Sequence, residues 1–237
     1  MMRFSALRTI KRVLGFLFFV SVINVAHATE TDVLEPVRPY VAKLVTQFEK
    51  IPADRQKDLN KVVAYINAKL KAHETAQLTF ICTHNSRRSH LAQIWAETAV
   101  AYYGLEGVVA YSGGTETTAM NSRTVDALRR VGFSITDSTG GTNPVYLIKY
   151  SDTKPEIRGY SKLYNAEANP QSKYAALMTC SQADKSCPFV TGSETRIAIH
   201  YDDPKIADNT PEEKALYDER TEQIGREMFY VISQVIK

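Results

Sequence analysis

The stretch Cys82-Thr83-His84-Asn85-Ser86-Arg87-Arg88-Ser89 decides the fold and the chemistry that we predict for this chain. It follows a short apolar run at 78–81 and precedes a segment with helical periodicity, which together predict a strand, a loop and a helix. A cysteine, five residues, an arginine and a hydroxyl suit a loop that wraps around a tetrahedral oxyanion. The alternative, a buried cysteine in an ordinary turn between strand and helix, fits poorly because such polar residues are poor core filler.

The predicted loop offers several groups to an anion. Its backbone N–H groups would point inward, and the following helix would add the positive end of its dipole. Arg88 can bind two oxygens at once through its planar guanidinium. Helix N-termini and nearby cations favour a thiolate at Cys82, and Ser89 could donate a hydrogen bond to its sulfur. We therefore predict a nucleophile aimed at phosphorus or arsenic. The predicted oxyanion-binding residues are Thr83, His84, Asn85, Ser86, Arg87 and Arg88.

Residues 1–28 have the features of a secretory signal peptide. A basic segment precedes an apolar run of 13 residues at 13–25, and Ala26-His27-Ala28 supplies a small-x-small cleavage pattern. A helix that spans a bilayer needs roughly 20 apolar residues. We expect cleavage after Ala28 and a periplasmic or secreted protein with no stable membrane span; the alternative is an uncleaved N-terminal anchor.

The net charge of +3 comes mainly from this N-terminal segment. Four of the 29 basic residues and none of the 26 acidic residues lie within 1–28, so the remaining chain is close to neutral. A near-neutral mature chain argues against a nucleic-acid or anionic-membrane partner.

The remaining sequence predicts an α/β fold, a parallel sheet with flanking helices, with an inserted β-hairpin and an N-terminal helical extension. The extension covers 29–76 and holds two helices, the second capped by Asp54. The main domain covers 77–237 and contains a hairpin insertion at 140–172. Within it we predict strands at 78–82, 108–111, 145–150, 157–164, 174–179 and 196–200, and helices at 88–103, from Asn121 or Ser122 to Arg130, and from about Pro211 to 235. Gly104 would end the first of these helices, and Trp95 would lie in the core.

Two further motifs follow predicted strands. Cys180 and Cys187, seven residues apart, form either a local disulfide or a redox pair that works with Cys82. The odd cysteine count predicts one free thiol, and the histidines lack the spacing of a zinc site.

Asp203, in the sequence Asp202-Asp203-Pro204, could reach the oxyanion loop and act as a general acid. The alternative is that Asp202-Asp203-Pro204 forms an ordinary turn with no catalytic role.

Together these motifs resemble the low-molecular-weight protein tyrosine phosphatase superfamily, and more closely its thioredoxin-coupled arsenate reductase branch. The matching segments are Phe80-Ile81-Cys82-Thr83-x-Asn85-Ser86-x-Arg88-Ser89-x-x-Ala92, Ser112-Gly113, Met178-Thr179-Cys180-Ser181-x-Ala183-Asp184-x-x-Cys187-Pro188 and Asp203-Pro204. The resemblance spans 78–236, with a gap at the hairpin. His84 and Arg87 depart from the family pattern, which has glycine and a small residue or cysteine there.

The resemblance implies a role for each residue of the oxyanion loop. Cys82 would attack arsenate, and Arg88 with the loop amides would bind the oxyanion. Asn85 would hold the shape of the loop, and Ser89 would stabilise the Cys82 thiolate. Asp203 would protonate the departing oxygen.

The resemblance also implies a relay of thiols. Cys180 would attack the Cys82–arsenic adduct, releasing arsenite and leaving a Cys82–Cys180 disulfide. Cys187 would then displace Cys82, and an external thiol protein such as thioredoxin would reduce the Cys180–Cys187 pair. No cofactor is expected. No metal is expected either, because Gln93 stands where the reductases often have a glutamate linked to a potassium site.

Two alternatives remain open at this stage. An exported protein could keep Cys180–Cys187 as a structural disulfide and act as a phosphatase through a cysteinyl-phosphate. Lys205 and Ile206, after Asp203-Pro204, count against a protein phosphotyrosine substrate, since phosphatases of this family usually have an aromatic residue there. The other alternative is an oxyanion-binding or partner-binding module without turnover.

Overall fold

The computed structural model describes residues 32–235, so the signal peptide predicted at 1–28 lies outside the described residues. The helices are α1 (Arg38–Val45), α2 (Ala53–Lys71), α3 (Arg88–Tyr103), α4 (Ser122–Val131), α5 (Ser181–Ser186) and α6 (Glu213–Ser233). The strands are β1 (Ala76–Cys82), β2 (Val108–Gly114), β3 (Ser134–Asp137), β4 (Tyr146–Lys149), β5 (Ile157–Gly159), β6 (Tyr174–Met178) and β7 (Ser193–Ala198).

The main sheet has four parallel strands in the order β2-β1-β6-β7, which confirms the predicted α/β fold. Ile81 of the central strand β1 lies opposite Gly113 of β2 and Met178 of β6. The carboxyl ends of three strands therefore meet at one edge. In parallel α/β sheets this edge is where ligands bind.

Trp95 of α3 lies in the core, as predicted, and is fully buried. Its ring stacks on Tyr40 of α1 at 5.7 Å and meets Phe133 edge-on at 5.1 Å between ring centroids. Phe229 of α6 packs against a third side of the indole, at 6.0 Å. Aromatic contacts with α1 and α6 thus hold α3, and with it the oxyanion loop that precedes it, against the rest of the core.

A second, antiparallel sheet has the order β3-β4-β5. The predicted hairpin corresponds to β4 and β5, but its second strand ends at Gly159 instead of continuing to Tyr164. The sequence pattern does not predict strand β3, because the strand has only four residues and just one of them is buried. The segment after β5 leaves the small sheet and runs to the main one, where Leu163 forms an isolated parallel bridge with Gly114.

Other boundaries differ from the predictions in small ways. Asp54 does not cap α2: Pro52 stands at the N-cap without a side-chain bond, and Asp54 in the first turn pairs with Lys57. Strand β7 covers 193–198 instead of 196–200, and α6 begins at Glu213, two residues after Pro211. The six-residue helix α5, between the two cysteines, was not predicted. Asn121 caps α4 and Gly104 ends α3 in the left-handed conformation, as predicted.

None of the helices between residues 32 and 235 combines the length and the apolar character that crossing a lipid bilayer requires.

Candidate active site

The loop between β1 and α3 has its carbonyl groups turned outward. The carbonyl of Thr83 accepts from Glu116 N at 2.8 Å, and that of Ser86 accepts from Asn121 N at 2.9 Å. The carbonyl of Cys82 accepts from the backbone of residue 115, and that of His84 from the hydroxyl of residue 161. Within residues 32–235, no backbone acceptor binds the amides of residues 84–88. These N–H groups remain available, so the loop has the arrangement of an anion-binding cradle.

Cys82 lies at the base of this cradle with its sulfur 3.1 Å from Ser89 Oγ. Asn85 Nδ2 donates to the same oxygen at 2.9 Å. Since the Ser89 oxygen already accepts from Asn85, its hydroxyl proton is free to point at the Cys82 sulfur. Asn85 itself has a φ of +44°, a left-handed conformation that asparagine tolerates better than most residues. The structure thus brings the predicted residues Cys82, Asn85 and Ser89 into one chain of hydrogen bonds.

The segment after β5 supports the loop from behind. Lys162 N donates to Asn85 Oδ1 at 3.0 Å, and Ser161 Oγ donates to the carbonyl of His84 at 2.7 Å. Gly113 lies so close to Tyr164 that an added Cβ would be 2.3 Å from its Cα. The inserted segment is therefore built into the floor of the oxyanion loop.

Arg88 connects the loop to Asp203. Its guanidinium donates to Asp203 Oδ2 at 2.7 Å and to the carbonyl of Tyr201 at 2.9 Å, while its Nε is buried without a partner among the described residues. Asp203 also accepts from Lys205 N at 3.1 Å, which fixes the turn at the start of a short 3-10 helix. The predicted arginine and the predicted acid therefore meet at the mouth of the loop.

Two loop residues face other protein groups. Arg87 donates to the Tyr217 hydroxyl at 2.8 Å and pairs with Asp208 at 3.4 Å, which fastens the loop to α6. His84 Nε2 lies 3.2 Å from Glu116 Oε2, and its side chain is about half exposed. Arg87 Nε also lies 3.9 Å from Asp203 Oδ1, so both arginines are close to Asp203, but among the described residues only Arg88 has no second acidic partner.

Two of the three cysteines are buried beside the loop. Cys180 Sγ lies 3.5 Å from Thr83 Oγ1, and Cys180 and Cys82 belong to the same buried cluster. Cys187, partly exposed, packs against that cluster from the other end of α5. All three are free thiols in this structure, so the local disulfide considered from the sequence is not formed here.

His90, the residue after Ser89, is a buried group that sequence reasoning did not single out. Burial is the main reason why its pKa falls to about 3, and the ammonium of Lys162 lowers it further. Its Nδ1 lies 3.3 Å from Ser112 Oγ, while Nε2 has no partner among the described residues. The imidazole is therefore neutral behind the loop near neutral pH.

Residues 77–141 match the family described as low molecular weight phosphotyrosine protein phosphatase. An arsenate reductase of Bacillus subtilis is 30% identical over 156 residues, which cover 65% of this chain and 94% of that protein. An arsenate reductase of Halalkalibacterium halodurans is 28% identical over 148 residues, covering 62% and 88%. The crystal structure of a YwlE mutant from Bacillus subtilis is 15% identical with a TM-score of 0.46, covering 68% of this chain and 98% of that one.

This chain belongs to the low-molecular-weight phosphatase superfamily, which includes arsenate reductases. It is an enzyme of one of these two kinds, an arsenate reductase or a phosphatase.

Lys162 and Tyr164 are contributors to the site that the sequence did not reveal. They lie almost 80 residues after the loop, in a stretch that we predicted to continue a hairpin strand. No motif marks them, because Lys162 acts through its backbone N–H and Tyr164 through its close approach to Gly113.

Proposed function

We propose that the protein is a thiol-dependent arsenate reductase in which Cys82, Cys180 and Cys187 act in turn. The observation that carries this proposal is the position of Cys180, whose sulfur lies against Thr83 in the wall of the oxyanion loop. A structural disulfide would require only that Cys180 be near Cys187. A relay requires in addition that Cys180 be next to the nucleophile, and its buried place beside Cys82 supports that role.

The proposed first step is attack on an oxyanion. Arsenate would bind to the free amides of the loop and supply an acceptor for the buried Nε of Arg88. The Cys82 thiolate would form a sulfur–arsenic bond as one oxygen leaves as water, with Asp203 providing the proton. Arg88 would turn part of its guanidinium from Asp203 toward the bound oxyanion.

The proposed later steps are thiol exchanges. Cys180 would attack the sulfur of Cys82, so that the electron pair of the sulfur–arsenic bond passes to arsenic and arsenite leaves. The Cys82–Cys180 disulfide would then be attacked at Cys180 by Cys187, which frees Cys82. A dithiol protein such as thioredoxin would reduce the Cys180–Cys187 disulfide and would itself be oxidised to a disulfide.

A phosphatase is the second candidate, and the contact between Arg88 and Asp203 favours it. A carboxyl group at the mouth of an oxyanion loop suits protonation of the alkoxide or phenoxide that leaves a phosphate ester. Cys82 would form a cysteinyl-phosphate that water hydrolyses. In that case the three-cysteine arrangement would have no catalytic purpose beyond Cys82.

The deciding experiment compares two reactions on the purified full chain. Arsenite release with thioredoxin and hydrolysis of p-nitrophenyl phosphate are measured side by side in wild type and in Cys82→Ser, Cys180→Ser and Cys187→Ser. We expect Cys82→Ser to abolish both reactions with the fold intact. For the reductase, Cys180→Ser and Cys187→Ser stop repeated arsenate turnover and spare ester hydrolysis.

Other outcomes would reject parts of the proposal. Arsenite release that continues over many turnovers in Cys180→Ser would exclude the relay. Ester hydrolysis without any arsenate reduction would establish the phosphatase. Either reaction persisting in Cys82→Ser would remove Cys82 as the nucleophile.

Export is a separate part of the proposal. We propose that the signal peptide is cleaved after Ala28 and that the enzyme acts in the periplasm or outside the cell, supported by the N-terminal sequence alone. Its reductant would then be a thiol protein of that compartment. Mass spectrometry of protein from a cell fractionation experiment tests this: a mature chain that begins at Thr29 supports export, and an intact cytoplasmic chain excludes it.

A further inference from the structure

A cavity of about 620 Å³ lies between α3, the outer edge of β2 and the segment at 154–169. We call it the insertion cavity, since the inserted segment forms one of its walls. Its size is within the range of small-molecule sites, about 300–1,000 Å³. It is distinct from the oxyanion loop, because neither Cys82 nor Arg88 lines it.

The inserted wall carries a buried ammonium without a counter-ion. Lys162 is only 8% exposed, and no carboxylate within residues 32–235 pairs with it. Its Nζ lies 4.8 Å from the centre of the Tyr160 ring, a cation–π contact. Burial lowers the pKa of Lys162 to about 8. A buried cation with no partner is costly, and an anionic ligand would remove that cost.

The opposite wall, on α3, carries acceptors. Gln93 and Glu97 lie four residues apart and so share a helix face. Gln93 Nε2 donates to the Ala110 carbonyl at 3.1 Å, while Gln93 Oε1 is buried without a partner. Glu97 accepts from Ala110 N and, at 3.5 Å, from the Tyr150 hydroxyl; burial raises the pKa of its carboxyl group, and these hydrogen bonds and the charge of Lys154 oppose that rise. Both side chains are held in place by β2 and retain acceptor capacity for a donor in the cavity.

Asn169 adds a second unpaired amide oxygen. Its Nδ2 donates to the carbonyls of Ser112, Leu163 and Tyr164, but its buried Oδ1 has no partner among the described residues. Buried polar atoms are nearly always hydrogen-bonded in folded proteins. Two such amide oxygens, on Gln93 and Asn169, line the same cavity as an ammonium without a counter-ion, and together they indicate a site that a ligand completes.

We propose that the insertion cavity binds a free amino acid, with its carboxylate at Lys162 and its ammonium at Gln93 and Glu97. The inserted wall carries three cations, Lys154, Arg158 and Lys162, against one carboxylate, Glu156. The wall on α3 carries acceptors, so a zwitterion suits both walls. A simple anion would leave the acceptors on α3 unpaired and would lie near the carboxyl group of Glu97. A simple amine would leave Lys162 without a counter-ion.

Isothermal titration calorimetry on the full chain tests this directly. The probes are glycine, leucine, glutamate and arginine, with acetate and ethylamine as molecules that carry one end each. We expect at least one amino acid to bind, and more tightly than acetate or ethylamine. Lys162→Met should weaken binding about tenfold or more, whereas Lys149→Met, which removes a surface lysine of β4 paired with Asp152, should leave the Kd unchanged.

Three results would overturn the proposal: no binding by any of the four amino acids, equal binding by the Lys162→Met chain, or loss of binding in Cys82→Ser together with competition by orthophosphate. The last would place the ligand in the oxyanion loop.

A second measurement follows the ligand on the unmodified sequence and needs a variant, the conservative Lys162→Arg, only to assign one signal. Lysine labelled with an isotope at its ε carbon gives one NMR signal per lysine, and the signal missing from Lys162→Arg is assigned to Lys162. A bound amino acid should shift that signal and raise its pH midpoint, since a carboxylate favours the ammonium form. A signal that does not move at saturating amino acid would reject the site.

Discussion

The side chain of Asn85 joins the oxyanion loop to Lys162: its Oδ1 accepts from Lys162 N at 3.0 Å, while its Nδ2 donates to Ser89 at 2.9 Å. One amide thus connects the inserted segment to the hydroxyl that faces the Cys82 sulfur. The orientation of the Ser89 proton depends on this amide, and the amide depends on a backbone group of the insertion.

Asn85→Asp separates these two bonds. Aspartate keeps the acceptor for Lys162 N and tolerates the left-handed backbone, but it cannot donate to Ser89. We expect kcat/KM to fall about tenfold or more, and the free energy of unfolding to fall as well, since the new carboxylate is buried beside the Cys82 sulfur without a counter-ion. Steady-state kinetics and thermal unfolding on the same preparation measure both. Wild-type kinetics in a folded Asn85→Asp chain would show that the bond to Ser89 does not matter for turnover.

Asp203→Asn tests the general acid. We expect hydrolysis of phenyl phosphate, which has a poor leaving group, to slow by about 10²–10⁴-fold, and hydrolysis of p-nitrophenyl phosphate to slow less. Asp202→Asn is the matched control, because the adjacent Asp202 side chain is 98% exposed. Equal losses on the two esters would instead indicate that Asp203 only positions Arg88.

Gly113→Ala tests the close contact between β2 and the insertion. The added Cβ would lie 2.3 Å from the Tyr164 Cα, so the backbone of one segment has to move. We expect a loss of several kcal/mol in unfolding free energy, as for other strongly overpacked sites. Gly140→Ala is the control, since a Cβ there meets nothing within 4 Å. Chemical denaturation that gives the same stability for both variants would contradict this contact.

His90 should make stability depend on pH. Its pKa is about 3 in the folded chain because of burial, against an ordinary value of 6.5, so between these values the unfolded chain binds more protons. The contribution of the buried neutral His90 to the free energy of unfolding is fully present above pH 6.5 and is lost as the pH falls. Wild type should therefore lose roughly 2 kcal/mol relative to His90→Gln between pH 7 and about pH 5. Parallel unfolding free energies across that range would refute the buried neutral state.

Lys162 should make the stability of the fold depend on pH in the alkaline range. Burial lowers its pKa from 10.5 to about 8, so the unfolded chain binds more protons between these values and the cost of burying the ammonium is full below pH 8. Without a ligand, Lys162→Met should be more stable than wild type at pH 7, by at most on the order of 3 kcal/mol. The difference should shrink as pH rises toward 10.5. Urea denaturation at several pH values measures it, and a difference that does not change with pH would exclude the effect.

Much of the main domain could be predicted because its signals are local. The helix at 88–103, the left-handed Gly104 and the cap at Asn121 each depend on neighbouring residues. The carboxyl ends of β1 and β6 meet because the strands are parallel neighbours, which agrees with the closeness of Cys82 and Cys180 that the family resemblance implies.

The parts of the fold and of the candidate site that could not be predicted depend on contacts between distant segments of the chain. Residues 160–164 alternate like a strand, yet they leave the small sheet because the backbone of Gly114 and the side-chain oxygen of Asn85 bind their backbone groups. Arg87 looked like a ligand for the oxyanion, but Asp208 and Tyr217 compete for its guanidinium. Such competition is decided only when the folded chain places the partners side by side.

The contacts of Ser161 and Lys162 with the oxyanion loop also affect when, during synthesis, the site can form. His84 and Asn85 are held by residues that follow them by 77 positions. A chain emerging from the ribosome or passing through a membrane channel carries Cys82 long before Ser161 and Lys162 are available. During synthesis the cradle is therefore unfinished, and reactivity toward oxyanions is expected to arise only after most of the domain has folded.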